Sequence, residues 1–203
     1  MEMEDCGATR ARPRDRIVGT ARDLFRRHGI RGIGVDAIAE AAGSNKMTLY
    51  RHFDSKDDLV VACLRAVAAD ADRLWRQFED EHPGDPMAQL HAWIRLGAQC
   101  VGDDGRGCDM VNAAVELADH NHPARSVIEE FKTAQRDRLA QLCRDAGVDQ
   151  ADLLADTLTL LLEGARVSCQ SVGAEGPAAR FIRMGEAVVA SFAGETALRP
   201  TPA

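Results

Sequence analysis

Residues 35–53 read VDAIAEAAGSNKMTLYRHF, and this stretch decides the fold of the N-terminal third of the chain. Its apolar positions recur at helical spacing on either side of Gly43, which predicts two short helices, Val35–Ala42 and Lys46–Phe53. Asn45 is a residue type that caps helix N-termini, so the second helix is expected to begin directly after it. Two short helices joined by a tight turn form a helix-turn-helix, whose second helix enters the DNA major groove.

The second helix of this pair is expected to point Leu49 and Phe53 inward. The side chains that it presents to solvent are Lys46, Met47, Thr48, Tyr50, Arg51 and His52. That polar face carries hydrogen-bond donors, cations and one aromatic ring, groups that contact phosphates and base edges. Lys56 follows at the start of the next helix, where its ammonium and the helix N-terminus can share a phosphate. We therefore expect DNA contacts from seven residues: Asn45, Lys46, Thr48, Tyr50, Arg51, His52 and Lys56.

Charge is distributed unevenly along the chain. The 203 residues carry a formal net charge of −7, so the protein is not a bulk polycation. Between Arg10 and Lys56, however, eleven cations accompany five acids, a surplus of six positive charges, and the rest of the chain sums to −13. Clustered cations favour phosphate binding, although arginine-rich helix faces can equally be solvated surface.

Helical periodicity continues along the chain as far as Phe192. Aromatic residues make up only 4% of the chain, and no strand-like alternation is present, so the composition favours helix over strand. The sequence predicts an all-α protein with about nine helices: Arg14–His28, Val35–Ala42, Lys46–Phe53, Ser55–Phe78, Met87–Val101, Cys108–Ala118, Asn121–Ala146, Ala151–Val172 and Ala178–Phe192.

The three N-terminal helices share a specific spacing of apolar, aromatic and basic residues. It runs from IVGTARDLFRRHG at 17–29, through DAIAEAAG at 36–43, to TLYRHF at 48–53 followed by Lys56 and Leu59. This pattern closely resembles the helix-turn-helix head of TetR-family transcriptional regulators, the TetR/AcrR-like repressors. The resemblance covers about the first quarter to third of the chain in detail. Beyond it, only the helical layout is similar.

The resemblance implies roles for individual residues of the head. Thr48, Tyr50 and His52 match positions that contact DNA, and Lys56 matches a lysine that anchors the phosphate backbone. Gly34 departs from the family pattern, because a Thr or Ser often stands there as a helix cap. This departure removes a side-chain cap and leaves the fold intact.

The resemblance also implies how the chain is divided and what it does. It predicts a flexible N-terminal arm (1–13), a helix-turn-helix domain (14–58), a ligand-binding and dimerisation domain (59–193) and a loose C-terminal tail (194–203). The expected protein is a homodimeric repressor without a cofactor. A small-molecule ligand is expected to release it from a near-palindromic double-stranded DNA operator. The helix Ser55–Phe78 joins head to body and is the predicted coupling element.

The C-terminal body carries two sets of candidate residues. The last two long helices pair with a second copy in the resembled family, which implies a dimer interface of Leu158, Leu161, Leu162, Ala165, Phe181, Val188 and Phe192. Aromatic and thioether groups suit adaptable apolar cavities, so the ligand pocket is expected to use Trp75, Trp93, Met110, Phe131 and Leu158. Alternatively, members of both sets are packed in the core of the single chain.

Two smaller clusters have both a functional and a structural interpretation. Glu116 and His120 lie on one helix face with His122 just beyond it, as metal ligands can. Solvated histidines at a helix end are the preferred interpretation, and no metal site is expected. Cys100 and Cys108 flank a glycine-rich loop, and a disulfide between them would make a thiol redox-responsive regulator, whereas buried core cysteines are commoner.

Other functional classes are disfavoured. The sequence contains no GxSxG, P-loop or GxGxxG motif, so an enzyme is not expected. A non-specific architectural DNA binder is the alternative to a sequence-specific regulator, and the ratio of specific to non-specific affinity separates the two. Scattered cysteines, no visible signal peptide and no long apolar run predict a cytoplasmic protein without membrane contact.

Overall fold

A computed structural model describes residues 12–102 and 105–196, and every regular element within these ranges is helical. The elements are α1 Pro13–His28, α2 Val35–Ala41, α3 Lys46–Tyr50, α4 Lys56–Glu81, α5 Pro86–Gly102, α6 Asp109–Glu116, α7 Ala124–Asp145, α8 Ala151–Val172, a 3-10 turn Pro177–Arg180 and α9 Phe181–Thr196. The prediction of an all-α protein with about nine helices is confirmed.

Local sequence determines where the helices of the N-terminal head begin and end. The side chain of Asn45 accepts a hydrogen bond from the backbone N–H of Thr48 at 2.9 Å, which caps α3. Ser55 caps α4 in the same way by accepting from the N–H of Asp58 at 3.0 Å. Gly29 ends α1 with a φ of +76°, a conformation that glycine adopts without the steric cost of a Cβ.

Helix α3 is shorter than the sequence predicts. The predicted range was Lys46–Phe53, and the helix ends at Tyr50. The backbone N–H of His52 donates to the carbonyl of Leu49 at 3.0 Å, a three-residue spacing that tightens the last turn and ends the regular helix. Phe53 nevertheless lies in the core, as its apolar position in the pattern indicates.

The head is a three-helix unit that α4 closes. Ile17 of α1, Ile38 of α2 and Leu49 of α3 are fully buried in one apolar cluster, and Leu59 of α4 completes it. Helix α4 continues for 26 residues, and near its other end Trp75 belongs to the core of the body. One rigid helix therefore takes part in both cores.

The body is a bundle in which α8 packs against α5, α7 and α9. Its core is built on almost fully buried side chains, among them Leu139 of α7, Leu154 and Leu158 of α8, and Phe181 of α9. The apolarity of α8 on more than one face, visible in the sequence, follows from its position between these three helices.

A third apolar cluster joins the head to the body. It brings Ile30, from the loop after α1, together with Leu64 of α4, Met110 of α6 and Ile128 of α7. Helix α6 thus packs beneath the head, on the same cluster as α4.

The ends of the chain differ in detail from the predicted divisions. Pro13 already opens α1, so the helix includes the last residue of the predicted arm, and residues 1–11 lie outside the described ranges. Helix α9 continues to Thr196, past the predicted start of the tail at Gly194, and residues 197–203 lie outside the described ranges. Across residues 12–102 and 105–196, no helix is long and apolar enough to span a membrane.

Candidate nucleic-acid interface

Helix α3 turns its polar face to solvent. Leu49 is fully buried, whereas its neighbours along the helix, Met47 and Tyr50, are 76% and 42% exposed. Of the seven predicted DNA-contacting residues, Thr48 and Lys56 are half-buried, and the other five are exposed: Asn45, Lys46, Tyr50, Arg51 and His52. The structure therefore brings this predicted set to the surface on α3, the turn after it and the first turn of α4.

Met47 is missing from the predicted set although it is the most exposed large apolar side chain on α3. The prediction favoured hydrogen-bond donors and cations, and a thioether is neither. Its outward position in the helical pattern was the available signal. An apolar tip at this place suits contact with thymine methyl groups in the major groove.

Two of the predicted residues are held by contacts within the head. Asn45 uses its side-chain oxygen to cap α3, so only its amide NH2 remains available to donate a hydrogen bond to DNA. Lys46 Nζ lies 3.0 Å from Asp36 Oδ2. That hydrogen bond and the aspartate charge raise the pKa of Lys46 above its ordinary value, which keeps this lysine charged.

Helix α1 adds a cation that sequence reasoning did not select. The Arg14 guanidinium carbon lies 5.3 Å from the centre of the Phe53 ring, a cation–π geometry. The Phe53 ring in turn meets His52 edge-on, with ring centres 6.4 Å apart. Arg14 therefore lies close to the predicted DNA-contacting turn, although 31 residues or more separate it from α3 in sequence.

Helix α6 is bonded directly to the end of α1, a connection that the sequence did not predict. The carboxylate of Glu116 accepts hydrogen bonds from the backbone N–H groups of Ile30 at 2.8 Å and Arg31 at 2.6 Å. Arg26 of α1 pairs with Asp109 of α6 at 2.7 Å. Both ends of α6 therefore hold the head.

A second set of contacts flanks these bonds. Arg22 of α1 pairs with Asp70 of α4 at 2.7 Å. Arg106, in the loop before α6, donates to the carbonyl oxygens of Arg26 and Arg27 at 3.2 and 3.1 Å. Polar contacts to α4, to α6 and to the loop between α5 and α6 thus add to the apolar cluster that joins the head to the body.

The body contains a partly open cavity of about 140 Å³ between α4, α5, α7 and α8. Three predicted pocket residues line it: Trp75, Trp93 and Phe131. Met110 and Leu158 do not. Met110 is fully buried in the cluster beneath the head, and Leu158 is fully buried in the core of the body, because α6 and that face of α8 turn towards other helices.

One wall of the cavity is charged. Glu163 of α8 accepts hydrogen bonds from Lys132 at 2.6 Å and Arg166 at 3.2 Å. Arg136, on the same wall, is bound by Asp152 and Asp156 at 2.8 and 2.7 Å.

Hydrogen bonds from Arg136 and Trp75 order the side chains around this wall. The hydrogen bond from Arg136 lowers the pKa of Asp156. The Trp75 indole N–H donates to Gln135 Oε1 at 2.7 Å, which fixes the orientation of the ring.

The predicted dimer residues separate into two groups. Leu158, Ala165 and Phe181 are buried within the single chain, where α8 meets its neighbours, so they belong to the intramolecular core rather than to a free surface. Half-buried members are Leu161, Leu162, Val188 and Phe192, and Leu162 also lines the cavity.

A different set of apolar residues on α8 is exposed. Leu153, Leu160 and Val167 are 53%, 72% and 54% exposed, and their spacing of seven residues places them on one face of the helix. Ile182 of α9 is 39% exposed. Sequence reasoning selected the apolar residues next to this stripe instead, because periodicity does not tell which apolar face a neighbouring helix covers.

The smaller clusters have structural partners. Glu116 is engaged with the head, His120 is exposed, and His122 Nε2 lies 3.3 Å from Asp57 Oδ1. No cluster of three or more metal-ligating side chains occurs among the described residues. Cys100 lines the cavity, and Cys108 Sγ lies 3.8 Å from Lys132 Nζ, both as free thiols.

Two family models match the chain, one over each part. Residues 17–63 match the model described as bacterial regulatory proteins, tetR family. Residues 86–182 match the C-terminal domain described as transcriptional regulator LmrA/YxaF-like. The first match covers the helix-turn-helix and the start of α4, and the second covers the bundle that contains the cavity.

Individual relatives agree with these matches. The transcriptional regulator AcuR of Cereibacter sphaeroides is 30% identical over 146 residues, which are 68% of this chain and 67% of AcuR. The crystal structure of a TetR-family transcriptional regulator from Streptomyces coelicolor is 26% identical, with a TM-score of 0.82 over 89% of this chain and 95% of that one. A tetR-type regulator structure from Streptomyces avermitilis is 27% identical, with a TM-score of 0.70 over 90% of this chain and 99% of that one.

Proposed function

The chain belongs to the TetR family of DNA-binding transcriptional regulators, and from that premise we propose that it is a homodimeric repressor that a small-molecule ligand releases from its operator. The observation that carries the proposal is the solvent-facing surface of α3. Leu49 anchors the opposite face of this helix in the core of the head. The operator lies on the chromosome, so the protein acts in the cytoplasm. We propose no catalytic activity, in keeping with relatives that are transcriptional regulators.

Base contacts come from α3 and phosphate contacts from its surroundings. Met47, Thr48 and Tyr50 reach the major groove from α3. Lys56 at the N-terminus of α4 and Arg14 at the start of α1 flank that helix and bind the backbone. This division makes the tip of α3 responsible for specificity and the flanking cations responsible for salt-dependent affinity.

The exposed stripe on α8 pairs two chains. Leu153, Leu160 and Val167 form an apolar stripe that a monomer would leave in water. A second copy covers it about a two-fold axis, with α9 contributing Ile182 at the edge. The two heads then contact successive major grooves of a near-palindromic operator.

Ligand binding in the cavity acts on the heads through two helices. Helix α4 contributes Trp75 to the cavity and Leu59 to the head core. Helix α6 holds the loop after α1 through Glu116. A ligand that favours a different arrangement of these helices disfavours the spacing that DNA requires, and by linkage DNA weakens ligand binding to the same extent.

The test is binding of the purified protein to DNA from directly upstream of its own gene, with scrambled DNA of the same length as control. We expect a preference of about a thousandfold or more for the native segment at physiological salt. Equal and steeply salt-dependent binding to both would instead favour the architectural alternative.

Alanine variants test, in the same assay, whether the exposed surface of α3 and the turn after it binds the operator. We expect Tyr50→Ala and Arg51→Ala each to weaken operator binding about tenfold or more while the protein stays dimeric. Arg76→Ala, which removes an exposed cation from α4 far along the body, is the matched control and leaves operator affinity unchanged. Equal effects of Arg51→Ala and Arg76→Ala would refute the role of α3.

A further inference from the structure

Charge is unevenly distributed along the charged wall of the cavity. Lys132 and Arg166 both bind the single carboxylate of Glu163, at 2.6 and 3.2 Å. The third cation on this wall, Arg136, is already matched by Asp152 and Asp156. Asp152 and Asp156 do not line the cavity, whereas Lys132, Glu163 and Arg166 do, and these three groups by themselves carry one positive charge in excess.

This surplus lies in a poorly solvated place. The side chains of Arg166, Glu163 and Lys132 are 18%, 28% and 30% exposed. The Nε of Arg166 is buried, and no described residue accepts a hydrogen bond from it. A buried donor without an acceptor and a cation without a full counter-charge are both unfavourable, and an anion in the cavity would relieve both.

The rest of the cavity is apolar and aromatic. Trp75, Phe78, Trp93 and Phe131 surround it together with leucines from α4, α5, α7 and α8. Its volume of about 140 Å³ is close to the roughly 150 Å³ of an engineered apolar cavity that takes up benzene. The space thus suits one six-membered ring, whose short substituent would lie at the charged wall.

From these observations, we propose that the cavity binds a small aromatic carboxylate, with its ring between the tryptophans and its carboxylate on Arg166 and Lys132. Guanidinium groups pair well with planar carboxylates, which favours this end group over other anions. The inference rests on the proposed ligand-responsive function, since it names the chemistry of the ligand for that same site.

The two tryptophans make the proposal directly measurable. The chain contains two Trp residues, and both line the cavity. Intrinsic fluorescence in the absence of DNA therefore reports on occupancy. The probes are phenylacetate, its neutral analogue phenylacetamide and the cation 2-phenylethylamine, which share a single ring.

We expect phenylacetate to bind at least tenfold more tightly than phenylacetamide, and 2-phenylethylamine to bind most weakly. Arg166→Met is expected to lower phenylacetate affinity at least tenfold and to leave phenylacetamide affinity unchanged. Arg76→Met, which removes an exposed cation from α4, changes neither affinity. Glu163→Gln, which adds to the surplus positive charge, strengthens phenylacetate binding and keeps the test valid should Arg166→Met fail to fold.

The contrary outcomes are separable. Equal binding of acid and amide, preference for the amine, or no fluorescence response to any probe would overturn the proposed ligand chemistry. Phenylacetate binding that leaves the operator complex intact would instead contradict ligand release and leave the ligand chemistry standing. Release of the operator by the amide alone would support ligand release and refute the carboxylate.

Discussion

The carboxylate of Glu116 accepts a hydrogen bond from the backbone N–H of Ile30 at 2.8 Å, which fastens the last turn of α6 to the loop after α1. The same carboxylate also accepts from the N–H of Arg31. An ionised acceptor shared by two backbone donors is among the stronger polar contacts in proteins. This single side chain therefore links the body to the head, 86 residues away in sequence.

Replacement of Glu116 by Gln should weaken this link, because an amide oxygen is a poorer acceptor than a carboxylate and offers only one oxygen. We expect the free energy of unfolding to fall by about 1–2 kcal/mol in urea denaturation. Ligand-induced release from the operator should also become less complete. Glu129→Gln, at an exposed position on α7, is the control. A loss no larger than that of the control would show that the link is energetically unimportant.

Gly29→Ala should disturb the same contact from the other side. A methyl group at Gly29 would lie 2.8 Å from Glu116 Oε1, and the backbone there has a φ of +76°. Gly43 also has a positive φ, +59°, but open space around it. Both substitutions incur backbone strain, and we expect Gly29→Ala to lower the free energy of unfolding by about 1 kcal/mol more than Gly43→Ala.

The difference between the two alanine variants should shrink when Glu116 is replaced by Ala, since the clash partner is then gone. The comparison needs four proteins, namely Gly29→Ala and Gly43→Ala, each with Glu116 and with Glu116→Ala. Their thermal or urea unfolding gives the coupling as in a double-mutant cycle. A difference that persists without Glu116 would attribute the cost to the backbone alone.

Leu160→Glu should dissociate the proposed dimer. A charge placed in the middle of the exposed α8 stripe would have to be desolvated at the interface. We expect the dimer dissociation constant, measured by sedimentation equilibrium, to rise at least about tenfold. Val115→Glu introduces the same charge at an 80% exposed apolar residue of α6 and should leave the dimer intact. If both variants behaved like the parent protein, the α8 stripe would not be the interface.

Stability should decline in alkaline solution through Cys63. Burial raises the pKa of this thiol from 9.0 to about 12. Between these pH values the unfolded chain releases the thiol proton and the folded chain retains it, so the free energy of unfolding falls as the pH rises. The contribution reaches at most about 1.4 kcal/mol per pH unit.

The measurement compares urea unfolding at pH 8 and pH 10 under reducing conditions. Cys63→Ala should be less stable at pH 8, because it leaves a small cavity in the head, but should lose less stability than the parent between the two pH values. Parallel losses in the variant and the parent would show that Cys63 does not titrate on unfolding.

Local signals in the sequence were sufficient for much of the fold and for the solvent-facing surface of α3. Asn45, Ser55 and Gly29 act through neighbours within four residues, so the boundaries that they set are readable from the chain alone. The exposure of Lys46, Tyr50 and Arg51 likewise follows from helical periodicity around Leu49.

The cavity and the apolar surfaces were only partly predictable. Trp75 and Phe131 were selected for their side-chain chemistry and do line the cavity, whereas Met110, selected on the same grounds, lies in another cluster. Phe181 was expected at a dimer surface and is buried in its own chain. Periodicity identifies an apolar face but not the helix that covers it.

The sequence by itself determined the helices, their caps and the polar face of α3, because these depend on residues that are close in the chain. Only the tertiary structure decided that Glu116 binds the loop after α1 and that Lys132, Glu163 and Arg166 form one wall. Ile30 and Glu116 are 86 residues apart, and Lys132 of α7 is 31 residues from Glu163 of α8. Their meeting depends on how the whole bundle packs.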